Sequence, residues 1–216
     1  MEKLAGERFH VAFTFNSSAA EATELAKRVD GQAIRVDLSD PVAATRTIRE
    51  QFQSPRLDVL VNNASLYEPA WLAETTPEIM RRLMAIHYES PLLLAQAFAP
   101  MLRQSRGHIV NMVDLLAKRP WPQFMPYCAS KAALGNLTLS LARELAPDVT
   151  VNGIAPGVVE WPPKYPEAEK QKYLKRVPLQ RPGTPEDAAN LVHFLATGGN
   201  YITGQIIRLD GGRSIT

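Results

Sequence analysis

Cysteine is almost absent: Cys128 is the only one, so no internal disulfide can form and the chain suits a reducing compartment. Histidine is scarce too. His10, His87, His108 and His193 show no ligand spacing, and no metal site is expected. Long apolar runs are missing; stretches such as Pro91-Leu-Leu-Leu-Ala95 are far too short to cross a bilayer. The opening Met1-Glu-Lys-Leu-Ala-Gly-Glu7 has no apolar segment of the secretory kind, so the cytoplasm is the expected location. Neither charge sign dominates: 24 Lys and Arg face 22 Asp and Glu, a net +2, which argues against nucleic acid or an anionic membrane as partner. A small-molecule substrate is expected instead. The 216 residues, 45% hydrophobic and 21% charged, fit one domain with a sizeable core.

Strand-like and helix-like segments alternate. Strands are expected at Arg8–Phe15, Gln32–Val36, Leu57–Val61, His108–Val113, Val149–Ile154 and Gly204–Leu209. Ser18-Ala-Ala-Glu21 reads as a capping box opening a helix to about Val29. Asp40-Pro41 supplies an N-cap and N1 proline for a helix to about Gln53. A long helix is expected from Thr76-Pro77-Glu78 to Leu102, bent at Pro91, and another carries Tyr127 to Leu145. Thr184-Pro185-Glu186-Asp187 starts one more, with acids where the helix dipole favours them. The segment 158–182, rich in proline and charge, reads as a small mobile substrate lobe, with Trp161–Val177 expected to shape substrate choice. The alternation predicts an α/β domain, a doubly wound parallel sheet with helices on both faces.

In such sheets the ligand lies beyond the carboxyl ends of the strands. Those ends carry Asn16-Ser17-Ser18, Asp37-Leu38, Asn62-Asn63-Ala64-Ser65, Asp114 and Pro156-Gly157. Tyr127 and Lys131, four apart, share a helix face, and Asp114 stands thirteen residues before the tyrosine. An ammonium near a phenol favours the phenolate and lowers its pKa, which makes the pair a candidate acid/base for a polar double bond.

Taken together, Asp37-Leu38, Asn62-Asn-Ala-Ser65, Tyr127-x-x-x-Lys131, Asn152-Gly-Ile-Ala-Pro156-Gly157 and Gly204-Gln … Leu209-Asp-Gly-Gly212 resemble the short-chain dehydrogenase/reductase family, in order and at spacing. The resemblance implies a Rossmann-like single domain and a nicotinamide dinucleotide. It makes Tyr127 the acid/base, with Lys131 on the nicotinamide ribose and depressing the pKa of Tyr127. It places Asp37 and Leu38 at the adenine, Asn62, Ala64 and Ser65 along the cofactor cleft, and Pro156-Gly157 along the nicotinamide. Most members have serine where Asp114 stands. An ionised carboxylate only accepts hydrogen bonds, which suits a substrate with N–H donors or a nitrogen to be protonated. Asn111-Met-Val-Asp114 with Tyr127 and Lys131 is similar to the pteridine reductases, and Tyr67 resembles their ring-stacking aromatic. A carbonyl reductase, such as a 3-oxoacyl reductase, is the alternative.

Asn16-Ser17-Ser18 contains no acid to repel a 2′-phosphate, so NADP(H) is expected over NAD(H), although the arginine usual in pteridine reductases is missing. His87 stands where the family has asparagine. The family's first strand and glycine-rich loop have no counterpart before Glu7; this implies a longer working protein, a non-catalytic subunit, or an enzyme active as it stands. The resemblance also implies a homodimer or homotetramer packed through the helices over 76–102 and 126–145.

Overall fold

The computed structural model describes residues 1–161 and 164–216. Helix α1 spans Glu2–Gly6, followed by β1 (Ala12–Phe15), α2 (Ala19–Arg28), β2 (Gln32–Arg35), α3 (Pro41–Gln51) and β3 (Val59–Asn62). Then come α4 (Pro77–Met84), a π-turn (Ala85–Glu89), α5 (Ser90–Ser105), β4 (His108–Met112), α6 (Met125–Leu145) and β5 (Thr150–Pro156). The last elements are α7 (Glu167–Leu174), α8 (Pro185–Thr197) and β6 (Ile206–Leu209). All strand pairings are parallel, as expected, but they form two sheets: β1 with β2, and β3-β4-β5-β6.

The division falls where the first strand of the resembled family would lie. Central strands of a parallel sheet are normally buried on both faces. Here β4 and β5 have buried interiors, whereas the apolar β1 and β3 are only half-buried along their whole length. Ladder geometry explains the difference. Val11 and Phe15 give their carbonyls to β2, and Asp58 gives its carbonyl to His108. The two-residue alternation therefore turns the main-chain groups of Ala12 and Thr14, and of Val59 and Val61, away from their only partner strands.

Helices hold the limbs together. On one face Ile34, Val36, Ala44 and Ile48 share a core with Leu94, Phe98, Leu102, Ile109, Leu134 and Val151. Phe52 meets Phe98 edge-on at 5.5 Å. Burying each such side chain contributes roughly 1.5–3 kcal/mol, so this shared core is the main bond between limbs. Ser90 adds a tie, its hydroxyl donating to the Leu38 carbonyl at 2.8 Å. On the other face Val110, Ile154 and Leu195 pack with Leu191, Val192 and Ile207.

Two helix starts follow their sequence signals. Asp40 accepts from the Ala43 amide with Pro41 at N1, and Thr184 with Asp187 forms a capping box. Ser18 does not: it is the N-cap of α2 but makes no side-chain cap bond, so the expected box with Glu21 is absent. The expected bend at Pro91 is replaced by the π-turn before it. Proline has no N–H, and its ring collides with the carbonyl four residues back, here His87; a wider turn relieves both. The 158–182 segment contains α7; Pro162 and Pro163, which belong to the same expectation, lie outside the described residues.

Hydrogen exchange tests the divided sheet. The amides of Ala12, Thr14, Val59 and Val61 are expected to exchange roughly 100-fold faster than those in the interiors of β4 and β5. Equal protection would mean that the two edges are covered.

Candidate active site

The carboxyl ends of β3 and β4 and the first turns of α6 converge on one cluster. Helix α6 starts with Pro126 near its N-terminus, which leaves Tyr127 and Lys131 on the buried face, 4% and 2% exposed. The phenol of Tyr127 donates to Oδ2 of Asp114 at 2.7 Å. The other carboxylate oxygen accepts from the Leu116 amide, also at 2.7 Å, and caps the 3-10 turn Leu115–Ala117. Asp114 thus holds a loop and a phenol together.

The electrostatics depart from the sequence expectation. Burial raises the pKa of Tyr127, and the charge and hydrogen bond of Asp114 raise it further, with only the Ser65 hydroxyl pulling it down. Lys131 does not depress it: its ammonium donates to the Met112 carbonyl at 2.8 Å and lies 5.9 Å from the ring centroid. The near carboxylate outweighs the more distant ammonium, so the phenol is firmly protonated. Burial also pushes Asp114 up, against the Leu116 amide, the Tyr127 hydroxyl and Lys131, and it brings Lys131 down to about 8.

His87 is tied into the same cluster. The π-turn carries it into the interior, 1% exposed. Nε2 accepts from the Leu66 amide at 3.1 Å and lies 3.0 Å from Ser65 Oγ; Nδ1 lies 2.8 Å from Ser130 Oγ, which donates to the Tyr127 carbonyl. An amide donor on Nε2 places the proton on Nδ1. The ring stands edge-on to Tyr127 at 5.5 Å. Burial first, and then the charge of Lys131, lower its pKa to about 3, so the imidazole is neutral. The sequence flagged this position by its departure from asparagine; the bonds to Ser65 and Ser130 were not legible, because they depend on the π-turn.

Other expected residues divide into groups. Ser65 and Tyr67 join the cluster. Tyr67 stacks on Phe124 at 4.4 Å and meets Tyr127 edge-on at 4.9 Å. Asn62 does not turn its amide to the cleft: it donates to Asn111 at 2.7 Å, and Asn111 donates to Thr138, bracing β3, β4 and α6. Ala64 is exposed after β3. Pro156 ends β5, and a Cβ on Gly157 would come within 3.1 Å of the Tyr173 hydroxyl and 3.2 Å of Asp210, so a side chain there would be crowded. Asn16, Ser17 and Ser18 are exposed at the end of β1; Asp37 is exposed and Leu38 half-buried after β2.

Sequence reasoning missed one cation and left the substrate lobe without chemistry. Arg35 reaches across from β2 and donates through Nε to the Asn16 carbonyl at 3.1 Å, setting a cation beside Asn16-Ser17-Ser18. Beside the cluster, Trp121, Trp161, Tyr165 and Tyr173 pack together: Trp161 stacks on Tyr165 at 5.1 Å, and Tyr173 meets Trp121 and Trp161 edge-on. The density of aromatics in 158–182 was the available signal.

The buried imidazole links pH to stability. The folded pKa of His87 lies below its ordinary 6.5, so its contribution is complete above about 6.5 and is lost as pH falls towards 3. Wild type is expected to lose about 1.4 kcal/mol per pH unit more than H87N between pH 6 and 4. Urea unfolding at each pH checks this; parallel curves would show that His87 is not buried neutral.

Residues 2–214 match the family described as enoyl-(acyl carrier protein) reductase. The chain is 34% identical over 203 residues to the 3-oxoacyl-[acyl-carrier-protein] reductase of Thermotoga maritima, covering 91% of this chain and 82% of that one. It is 33% identical over 235 residues to the L-2,3-butanediol dehydrogenase of Corynebacterium glutamicum, covering 98% and 91%. Among solved structures, a blue fluorescent protein from a metagenomic library in complex with NADPH superposes with a TM-score of 0.90 at 30% identity, covering 98% of this chain and 90% of that one. The acetoin dehydrogenase of Enterobacter cloacae gives 0.88 at 30%, covering 99% and 89%. With its parallel α/β fold and these relatives, the chain belongs to the short-chain dehydrogenase/reductase family, the NAD(P)-dependent oxidoreductases.

Proposed function

We propose that the protein reduces a C=N bond of a flat nitrogen heterocycle of the pteridine kind, with NADPH as the hydride source. The observation that carries this reading is the 2.7 Å bond from Tyr127 to Asp114. A carboxylate at this place repels a carbonyl oxygen gaining negative charge, but accepts from ring N–H groups while the phenol it holds passes its proton to nitrogen. The aromatic surroundings support the same class, since Tyr67, Phe124 and Trp121 offer flat apolar faces to a planar ring.

The residues fit the nicotinamide end of the cofactor. Lys131 uses one of its three N–H groups, on the Met112 carbonyl, and has the others for ribose hydroxyls. Asp37 and Leu38 would flank the adenine; Ala64, Ser65, Pro156 and Gly157 would line the path between. Bound NADPH supplies the hydride. The chain supplies the proton: Tyr127, kept protonated by burial and by Asp114, releases it as charge develops on the substrate, and Asp114 relays its replacement. Ser65, held by His87, keeps its hydroxyl beside the phenol. Preference for NADPH rests on the absence of an acid at Asn16-Ser17-Ser18 and on Arg35, the cation that sequence reasoning missed.

Carbonyl reduction is the second reading, favoured by the names of the relatives: a 3-oxoacyl reductase and butanediol and acetoin dehydrogenases. NADPH oxidation with dihydropterins and with 3-oxoacyl thioesters or simple ketones separates the two. A dihydropterin is expected to be the better substrate, with D114S shifting the preference towards ketones; a wild-type preference for ketones refutes the nitrogen reading. Y127F should lower turnover at least ~100-fold on either substrate. R35E should raise KM for NADPH about tenfold with little change for NADH, and equal effects on both would remove Arg35 from cofactor choice.

A further inference from the structure

Arg213 opens the 3-10 turn Arg213–Ile215 and is only 8% exposed. A guanidinium stays charged at any ordinary pH, and arginine is rarely this buried without a partner. Among the described residues no ion pair and no hydrogen bond engages its side chain, and Nε is enclosed without an acceptor. The nearest carboxylate in sequence, Asp210, is committed to backbone: Oδ1 accepts from the Gly212 amide at 3.0 Å and Oδ2 from the Ser214 amide at 2.7 Å. Arg119 grips the same turn from outside, donating to the carbonyls of Arg213 and Thr216 at 2.7 and 2.9 Å. The turn is therefore fixed while its cation has, among the described residues, no ion-pair or hydrogen-bond partner. An unpaired buried charge is a cost to folding.

The direction of the side chain suggests why that cost is borne. Its Cζ lies 5.6 Å from the centroid of the Tyr173 ring, and that ring meets Trp121 and Trp161 edge-on. The Tyr173 hydroxyl accepts from the Val158 amide at 3.3 Å, next to Gly157. The charges of Arg213 and Asp114 both act on that hydroxyl, with opposite sign. Arg213 thus packs on Tyr173, whose ring meets Trp121, a side chain packed against the cluster of Tyr127.

We infer that Arg213 is an anion-recognising residue of the substrate site, and that the substrate carries a carboxylate beside its ring. This rests on the reading that the cleft at Tyr127 and Asp114 receives the substrate. A carboxylate is favoured over a phosphate because the planar fork pairs with it in two parallel bonds and the charges then cancel. A phosphate dianion would leave one charge unmatched among aromatic side chains.

The test uses benzoate and its neutral isostere benzamide, titrated by calorimetry into wild type, R213Q and R213K. Benzoate is expected to bind wild type saturably and at least tenfold more tightly than benzamide. R213Q should lose that discrimination, and R213K, which keeps the charge without the fork, should fall between. In turnover, a carboxylated substrate should exceed its methyl ester at least tenfold in kcat/KM, and R213Q should level the pair. Equal binding of the two probes to wild type, or undiminished benzoate binding by R213Q, overturns the inference. Circular dichroism identifies a misfolded R213Q, in which case R213K carries the comparison. Benzoate discrimination without NADPH turnover would sink the reductase reading and leave Arg213 standing; turnover of neutral substrates without benzoate discrimination would do the reverse.

Discussion

Keeping the polar groups around the buried Tyr127 and His87 matched is the constraint on which this structure depends. Asp114, Tyr127, Ser65, His87 and Ser130 run from the end of β4, through α6 and the loop after β3, to the π-turn. Hydrogen bonds join Asp114 to Tyr127, and His87 to both Ser65 and Ser130. In a low-dielectric surrounding an unmatched member would be costly, so the elements that carry these residues have little freedom to move apart. The same surroundings fix protonation: the imidazole is neutral and the phenol holds its proton.

The parallel α/β order was legible because strand runs, capping residues and polar strand ends recur in a pattern with one reasonable fold. Asp40-Pro41 and Thr184 show how far local chemistry carries: both caps formed as the side chains dictate. Ser18 shows where it stops. Its hydroxyl has the right spacing to Glu21, yet the turn at the end of β1 leaves it unused. Proximity of Tyr127 and Lys131 was legible from helix spacing, and that of Asp114 from the family resemblance. The sign of the phenol's shift was not, since it depends on a hydrogen bond to the carboxylate and on how far the ammonium stands from the ring. Arg35 and Arg213 were invisible for a similar reason. Each matters through what lies beside it in space, across a neighbouring strand or over a ring forty residues distant.

Asn62, Asn111 and Thr138 make a related point. An asparagine at a strand end reads as a ligand contact, but here the three side chains form a bracket between β3, β4 and α6. The bracket holds the floor of the site level while the loop above it carries Ser65 and Tyr67. Support and chemistry thus come from adjacent residues of one short stretch, and only the direction of each side chain separates them.

The divided sheet bears on how the two ends of the cleft communicate. Lateral hydrogen bonding is what lets a sheet behave as one plate. Where that bonding lapses between β1 and β3, the part carrying Asn16, Arg35 and Asp37 is joined to the part carrying Tyr127 chiefly through side chains of α3 and α5 and the Ser90 tie. Packed side chains slide where ladders do not. The two limbs are thereby joined less stiffly than the strands within either sheet, and a change that loosens the first need not disturb the second.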